Sequence, residues 1–169
     1  QFLRDKLQNF QELGIKTHAY VQGLNVVTKA FDAEDIFCVD AWRRRLAYSK
    51  GRSFICPNNP NTVSLLSGRV ERAVLEDVDG VYVDNILFGI PPITVFSDYL
   101  PFFGCSCVHC QEQFHTQFGY SLPLKEKKGQ QVIDYLEFRA RSVQKVIERL
   151  SRIVHSHQKQ FGINLYDPT

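Results

Sequence analysis

Apolar residues recur along the chain at helical and strand-like rhythms. Leu3, Leu7, Phe10 and Leu13 follow one another by four, three and three, which lays one apolar stripe along a helix over 1–13. Gly14 supplies the left-handed stop behind it. The β-formers of 15–21 read as a strand, and 22–60 reads as irregular apart from one short helix near 26–36. Val63, Leu66, Val70 and Val74 return to helical spacing and predict a helix over 61–77, started by Pro60 or Asn61. Asp79-Gly80 makes a turn into a strand over 81–87, apolar on both faces until Asp84, as in a strand buried inside a parallel sheet. A Pro/Gly/aromatic loop over 88–104 leads to a short helix near 108–118 that ends at Gly119. The longest helix, over about 130–160, carries Leu136, Ala140, Val143, Ile147, Leu150 and Val154 at spacings of three or four. Gly162 closes it, and a third strand follows over 163–167.

The order of elements argues for an α/β fold with a parallel sheet and crossover helices. Strand starts near 15, 80 and 162 lie 65 and 82 residues apart, against roughly 30 for a minimal β/α unit. The excess falls after the strands, where parallel folds build their sites. Three strands do not close an eight-stranded barrel, so the expectation is a partial (β/α)8 TIM barrel: about three β/α units with long βα loops, 1–169 forming a single domain. The chain has no methionine, and Gln1 already sits in a helical pattern. It reads as a fragment of a larger catalytic domain, truncated at both ends, so a signal peptide at the true N-terminus is not visible.

Composition narrows the function. With 169 residues, 44% apolar and 22% charged, the chain is long enough for a real core and too apolar for disorder. No apolar run reaches the length of a membrane span. Twenty Lys and Arg against eighteen Asp and Glu leave a net charge of +2, which gives no electrostatic case for nucleic acid.

The cysteines are the densest chemistry. Cys105, Cys107 and Cys110 place three thiols within six residues, a spacing that wraps a small soft cation more easily than it forms disulfides. Cys56, before Pro57, is the candidate fourth ligand of a structural tetrahedral zinc, and Cys38 reads as an ordinary buried thiol. A three-thiolate site with His109 is a variant, and two disulfides with one free thiol is the other reading. Four thiolates leave no open position for water, so this metal is structural. Thiolate ligation suits a reducing compartment and points to the cytoplasm.

Taken in series, Cys56-Pro57-Asn58-Asn59-Pro60, Val83-Asp84-Asn85, Cys105-Ser106-Cys107-Val108-His109-Cys110-Gln111-Glu112-Gln113-Phe114 and Phe118-Gly119 resemble the zinc-cluster β-galactosidases of glycoside hydrolase family forty-two, over about 54–120. The remainder is similar to glycoside-hydrolase-like TIM barrels more broadly, through His18-Ala19-Tyr20 and Asp79-Gly80-Val81-Tyr82-Val83-Asp84. The resemblance implies hydrolysis of a glycosidic bond, a carbohydrate substrate, and structural zinc beside the active-site face of the barrel. One departure is decisive. The family carries Asp-Asn-Glu at the fourth strand end, with Glu as general acid/base, and this chain has Asp84-Asn85-Ile86. Isoleucine transfers no proton.

Glycoside hydrolysis generally uses two carboxylates. Asp84 is the candidate catalytic residue, as nucleophile or as a binder of sugar hydroxyls, against a structural role in capping loop backbone. Asn85 would orient it. His18, Tyr20 and Gln22 share a strand face, and with Asn25 and Asn164 they are candidate substrate-binding residues. A core role competes for His18. Asp167, beside Tyr166, is a candidate second carboxylate. Arg43, Arg44 and Arg45 beside Trp42 could meet an acidic substrate or form a solvated face, and Arg139 could reach a sheet carboxylate or form a surface ion pair. Two rivals to an enzyme remain: a sugar-binding barrel that has lost catalysis, and a non-enzymatic zinc-clamped module for protein or nucleic acid.

Overall fold

The computed structural model describes the backbone of residues 2–89, 104–123 and 129–164, with side chains from Lys6 onward. In chain order the elements are α1 (Phe2–Glu12), β1 (His18–Gln22), β2 (Asn25–Val27), a 3-10 turn (Thr28–Phe31), β3 (Ala47–Ser49), β4 (Arg52–Phe54), α2 (Pro60–Ala73), β5 (Gly80–Asp84), α3 (Val108–Phe118), α4 (Gln130–Ser156) and β6 (Gln160–Ile163). None of these helices is long and apolar enough to cross a membrane. They fall into two compact units: one drawn from the stretches 1–23, 64–86 and 147–169, the other from 24–63 and 87–146.

The first unit is built on a parallel sheet of order β1-β5-β6. His18 pairs with Gly80 and Gln22 with Asp84; Gly80 pairs with Gln160 and Val83 with Ile163. Val81 and Val83 of β5 are fully buried, as are Leu66 and Val70 of α2 and Val154 of α4. Each such side chain contributes about 1.5–3 kcal/mol on burial. Asp79 fastens the amino end of the sheet, where its carboxylate accepts from Lys16 Nζ at 2.7 Å and from the Thr17 backbone N–H at 2.9 Å. At the other end, Gly23 N–H donates to Asp84 O at 2.8 Å. A Cβ on Gly23 would stand 2.4 Å from that carbonyl oxygen, so only glycine fits.

Two expectations for this unit are corrected. The third strand runs over Gln160–Ile163, and Gly162 lies inside it rather than stopping the helix. There the absent side chain admits the Tyr82 ring, whose nearest atom would be 3.0 Å from an added Cβ. The turn out of α4 comes earlier and uses Gln158 at φ 57°. The stripe on α1 is also less buried than its spacing implies, with Phe10 43% and Leu13 73% exposed.

The second unit holds the stretch that reads as irregular. It contains an antiparallel sheet of order β2-β4-β3, extended by bridges between Phe37 and Ile55 and between Val39 and Arg45. Its strands are three residues each, too short for period-two alternation to register, and the helix expected near 26–36 is only the 3-10 turn. The core is aromatic and sulfur-rich. Phe114 meets Phe138 at 5.4 Å and Tyr120 at 5.3 Å between ring centroids, both edge-on. Helix α3 ends as expected at Gly119, whose φ of 77° closes a hydrogen bond to His115 O.

The buried stripe of α4 is corrected along most of its length. Tyr135, Phe138, Ser142 and Val146 are buried, whereas Leu136 is 55% exposed. The aromatic residues win the inward face because the Phe138 ring packs against Phe114 and Phe88 and Tyr135 against Phe138, a preference that counting aliphatic residues does not reveal.

Two predictions follow from the two ends of the parallel sheet. The clasp lowers the Asp79 pKa from 3.8 to about 2, through the Lys16 side chain and then the Thr17 backbone. A folded pKa below the unfolded one stabilises above the unfolded value, so this contribution is complete above about pH 4 and disappears as the pH falls through 2. Denaturant midpoints measured across that window should decline less in Asp79→Asn than in the wild type. At the carboxyl end, Gly23→Ala forces backbone apart and should lower stability by about 1–3 kcal/mol, read from chemical denaturation.

Candidate functional site

Asp84 is the last residue of β5 and stands at the carboxyl end of the parallel sheet, where such folds place their sites. Both its oxygens are engaged. Oδ2 accepts from Tyr20 Oη at 2.7 Å and Asn85 Nδ2 at 2.8 Å, and Oδ1 from Asn85 N at 2.8 Å and Asn164 Nδ2 at 3.3 Å. A carboxylate offers about four acceptor positions, and here each has a donor. Asn85 adopts φ 57°, a left-handed conformation that asparagine tolerates better than most residues. That turn lets its backbone and side-chain N–H groups reach the same carboxylate.

The flanking strands supply the surroundings. Tyr20 is 59% exposed and lies 6.4 Å from Tyr82 between ring centroids. Gln22 follows on the same face of β1, and its Oε1 accepts from Tyr20 Oη at 3.3 Å. Its Nε2 is buried with no hydrogen-bond partner among the described residues. Arg69 donates to the Gln22 carbonyl at 3.0 Å. Exposed aromatic faces, amides and one oriented carboxylate are groups suited to gripping and cleaving a polyhydroxylated ligand. Ile86 is buried, 5% exposed.

Tyr20, Asn85 and Asn164 therefore gather at Asp84. His18 does not: it pairs with Gly80 at the opposite end of β1, four residues from Gln22, and its ring packs over the Gly80 Cα. Asn25 belongs to the antiparallel sheet of the second unit, fully buried, with its Oδ1 accepting from Arg52 Nε at 2.7 Å. That contact gives it a structural occupation. Tyr166 and Asp167 lie outside the described residues. Of the arginine run, Arg44 pairs with Asp40 at 2.7 Å and stacks over Trp42, and Arg45 pairs with Asp32. Among the described residues Arg139 forms neither expected contact: it donates to Phe88 O at 3.0 Å.

The second cluster is made of sulfur. Cys56, Cys105, Cys107 and Cys110 are buried, with their Sγ atoms all within 4.8 Å of one another. Cys56 Sγ lies 3.4 Å from Cys110 Sγ and 3.5 Å from Cys107 Sγ, far beyond a disulfide bond of about 2.0 Å. Four thiolates around one ion at the zinc–sulfur distance of about 2.3 Å would lie about 3.8 Å apart, so the four residues fit a single tetrahedral ion. His109 stands outside the group.

Burial opposes charging these thiols, and S–H hydrogen bonds divide them. Cys56 is drawn down to about 6 and Cys105 falls below the usual value, while Cys38 and Cys110 are pushed up by burial and Cys107 by its bond to Cys105. A coordinated divalent ion would deprotonate every ligand outright. The backbone N–H of Cys107 points to Cys105 Sγ at 3.5 Å, and Asn58 Nδ2 reaches Cys110 Sγ at 3.3 Å and Ser142 Oγ at 3.0 Å.

Two participants escape the sequence reading. Cys38 is not an isolated thiol, because it shares one buried core with the four clustered cysteines, and burial followed by its neighbours Cys105 and Cys56 pushes its pKa up. Asn58 braces a sulfur, although only its place two residues after Cys56 hints at that. The Phe37–Ile55 bridge is what carries Cys38 to the cluster, and it is invisible without the antiparallel sheet.

No family model and no curated protein matches the chain. Solved structures do. A β-galactosidase from the Antarctic haloarchaeon Halorubrum lacusprofundi matches with a TM-score of 0.68 and 15% identity, over 99% of this chain and 29% of that one. α-L-Fucosidase isoenzyme 2 from Paenibacillus thiaminolyticus matches with a TM-score of 0.62 and 17% identity, over 94% of this chain and 22% of that one. The glycoside hydrolase domain of PelA from Pseudomonas aeruginosa matches with a TM-score of 0.51 and 12% identity, over 94% and 47%. The chain spans less than half the length of each. At these identities the likeness concerns fold alone, and the fold it shows is glycoside-hydrolase-like.

Proposed function

We propose that the chain is part of a (β/α)8 barrel that hydrolyses a glycosidic bond in a carbohydrate, with Asp84 as its strand-end carboxylate. The observation that carries this reading is the convergence on Asp84 of donors from three neighbouring parallel strands or the turns after them. Support for the barrel comes from the sheet order β1-β5-β6, in which each parallel strand lies beside the next one in the chain.

Four donors suit an acceptor-only carboxylate, so Asp84 acts as nucleophile or as the charge that stabilises an oxocarbenium-like transition state. Tyr20 and Asn164 fix its orientation, and Asn85 holds it from behind. Proton donation falls to another residue, since Ile86 occupies the place of the acid in family forty-two. The buried Ile86 also favours the second reading, a barrel that binds sugar without cleaving it.

In the second unit, Cys56, Cys105, Cys107 and Cys110 would hold a structural zinc, with no position left for a reactive water. The ion would fasten the segment ahead of α2 to the segment ahead of α3. This arrangement fits the resemblance to family forty-two and a reducing, cytoplasmic setting.

Two experiments test these assignments. A panel of aryl glycosides offered to the full-length protein should reveal turnover that Asp84→Asn lowers by roughly 10³-fold or more. An unchanged rate in that variant would remove Asp84 from the mechanism. If no glycoside is turned over yet calorimetry detects a sugar that Asp84→Asn no longer binds, the non-catalytic reading stands. For the metal, elemental analysis should find close to one zinc per chain. Cys107→Ser should lose it together with thermal stability, whereas Cys38→Ser should keep it.

A further inference from the structure

Helix α4 lays one face along the sulfur cluster. Tyr135 and Phe138 share a core with all five cysteines, and Ser142 reaches Cys110 through Asn58. Arg139 belongs to this face as well. Its Cδ comes within 3.7 Å of where a Cβ on Gly104 would stand, one residue before Cys105. Its Nη2 donates to Phe88 O at 3.0 Å, and its guanidinium carbon lies 5.9 Å from the Phe88 ring centroid. The Nε is buried and finds no acceptor among the described residues. Among the described residues no carboxylate forms an ion pair with Arg139. Burial works against its charge, and Tyr135 and Cys38 are the groups close enough to work for it.

A guanidinium does not shed its proton at ordinary pH. Enclosing one without a carboxylate is costly unless another anion lies close by. A divalent ion bound by four thiolates is such an anion, since four negative sulfurs around two positive charges leave an excess of two negative. N–H donors from Asn58 and Cys107 disperse part of it, but dipoles do not cancel a net charge.

We propose that Arg139 is the counter-cation of the metal–thiolate centre, a positioning residue that holds the tetrathiolate's excess charge from α4. This rests on the reading that Cys56, Cys105, Cys107 and Cys110 bind a divalent ion. Each charge then explains the other's burial: the guanidinium, which pairs with no carboxylate among the described residues, meets the thiolates instead, and the sulfurs gain a cation without opening to water. The role belongs to the charge rather than to the packing, which is what separates it from an ordinary helix contact.

The test compares Arg139→Gln, which keeps an N–H donor for Phe88 O, with Arg139→Lys, which keeps the charge. Zinc is titrated away from the full-length protein with a chromophoric chelator. A parallel sample is loaded with cobalt(II), whose thiolate-to-metal absorption reports the ligand set. The glutamine variant should hold zinc about 10–100-fold more weakly than the wild type, with the four-thiolate cobalt spectrum intact. The lysine variant should stay within a few-fold of wild type. Should the glutamine variant fail to fold, Arg139→Met carries the same comparison against lysine. Equal zinc retention in the glutamine variant overturns the proposal. Equal weakening in the lysine variant overturns it too, because donor geometry and not charge would then be responsible. A wild-type protein that takes up neither zinc nor cobalt overturns the metal reading first, and the counter-charge falls with it.

Discussion

A charge withdrawn from water has to be met by dipoles or by an opposite charge, and that constraint shapes both clusters in this protein. At the carboxyl end of the parallel sheet the charge is the half-buried Asp84, and among the described residues it is met by dipoles: four O–H and N–H donors reach its two oxygens. The geometry around it follows from that demand. Asn85 enters a left-handed conformation, and Tyr20 and Asn164 are aimed from the strands on either side. In the sulfur cluster the constraint is harsher, because several thiols share one enclosed space and resist ionising together. There the four Sγ atoms of Cys56, Cys105, Cys107 and Cys110 lie within 4.8 Å of one another, close enough that they could hold a metal ion among them.

How much of this is legible in the sequence depends on whether the signal is local. The strand ending at Asp84 is local: Val81 and Val83 are apolar, Asp84 breaks the run, and the turn at Asp79-Gly80 precedes it. The glycine stop at Gly119 and the close spacing of Cys105, Cys107 and Cys110 are equally local; the structure ends the strand at Asp84, short of the expected 87, stops the helix at Gly119 and gathers the three sulfurs. Cys56 joins the cluster from 49 residues before Cys105 on the strength of chemistry, since one more soft ligand was needed. The antiparallel sheet gave no such signal. Its strands of three residues mix Asn25, Arg52 and Ser53 with apolar neighbours, and their pairing is decided by partners far along the chain.

The same distinction explains the misplaced residues. His18 and Tyr20 alternate onto one strand face as the period of two requires, but that period says nothing about which end of the strand holds the site. Parallel pairing with β5 settles the matter by putting Gln22, not His18, opposite Asp84. On α4, spacing alone allowed two stripes one residue apart. The choice between them was made by Phe138 packing against the rings of Phe88 and Phe114, with Tyr135 against Phe138. Asn58 is a polar residue whose occupation exists only once the sulfurs are assembled.

Gly162 shows how one missing side chain can propagate. By sitting in β6 without a Cβ it leaves the neighbouring Tyr82 ring room to lie against the sheet, and Tyr82 in turn flanks the Tyr20 ring. Because Tyr20 is hydrogen-bonded to Asp84, the aromatic wall around the carboxylate is propped from a strand that contributes no aromatic group to it. Any methyl introduced at that glycine would press on the ring and, through the neighbouring tyrosine, tilt the reach of a phenol two strands away; the tolerance of the site to change is thus set partly by an atom that is not there.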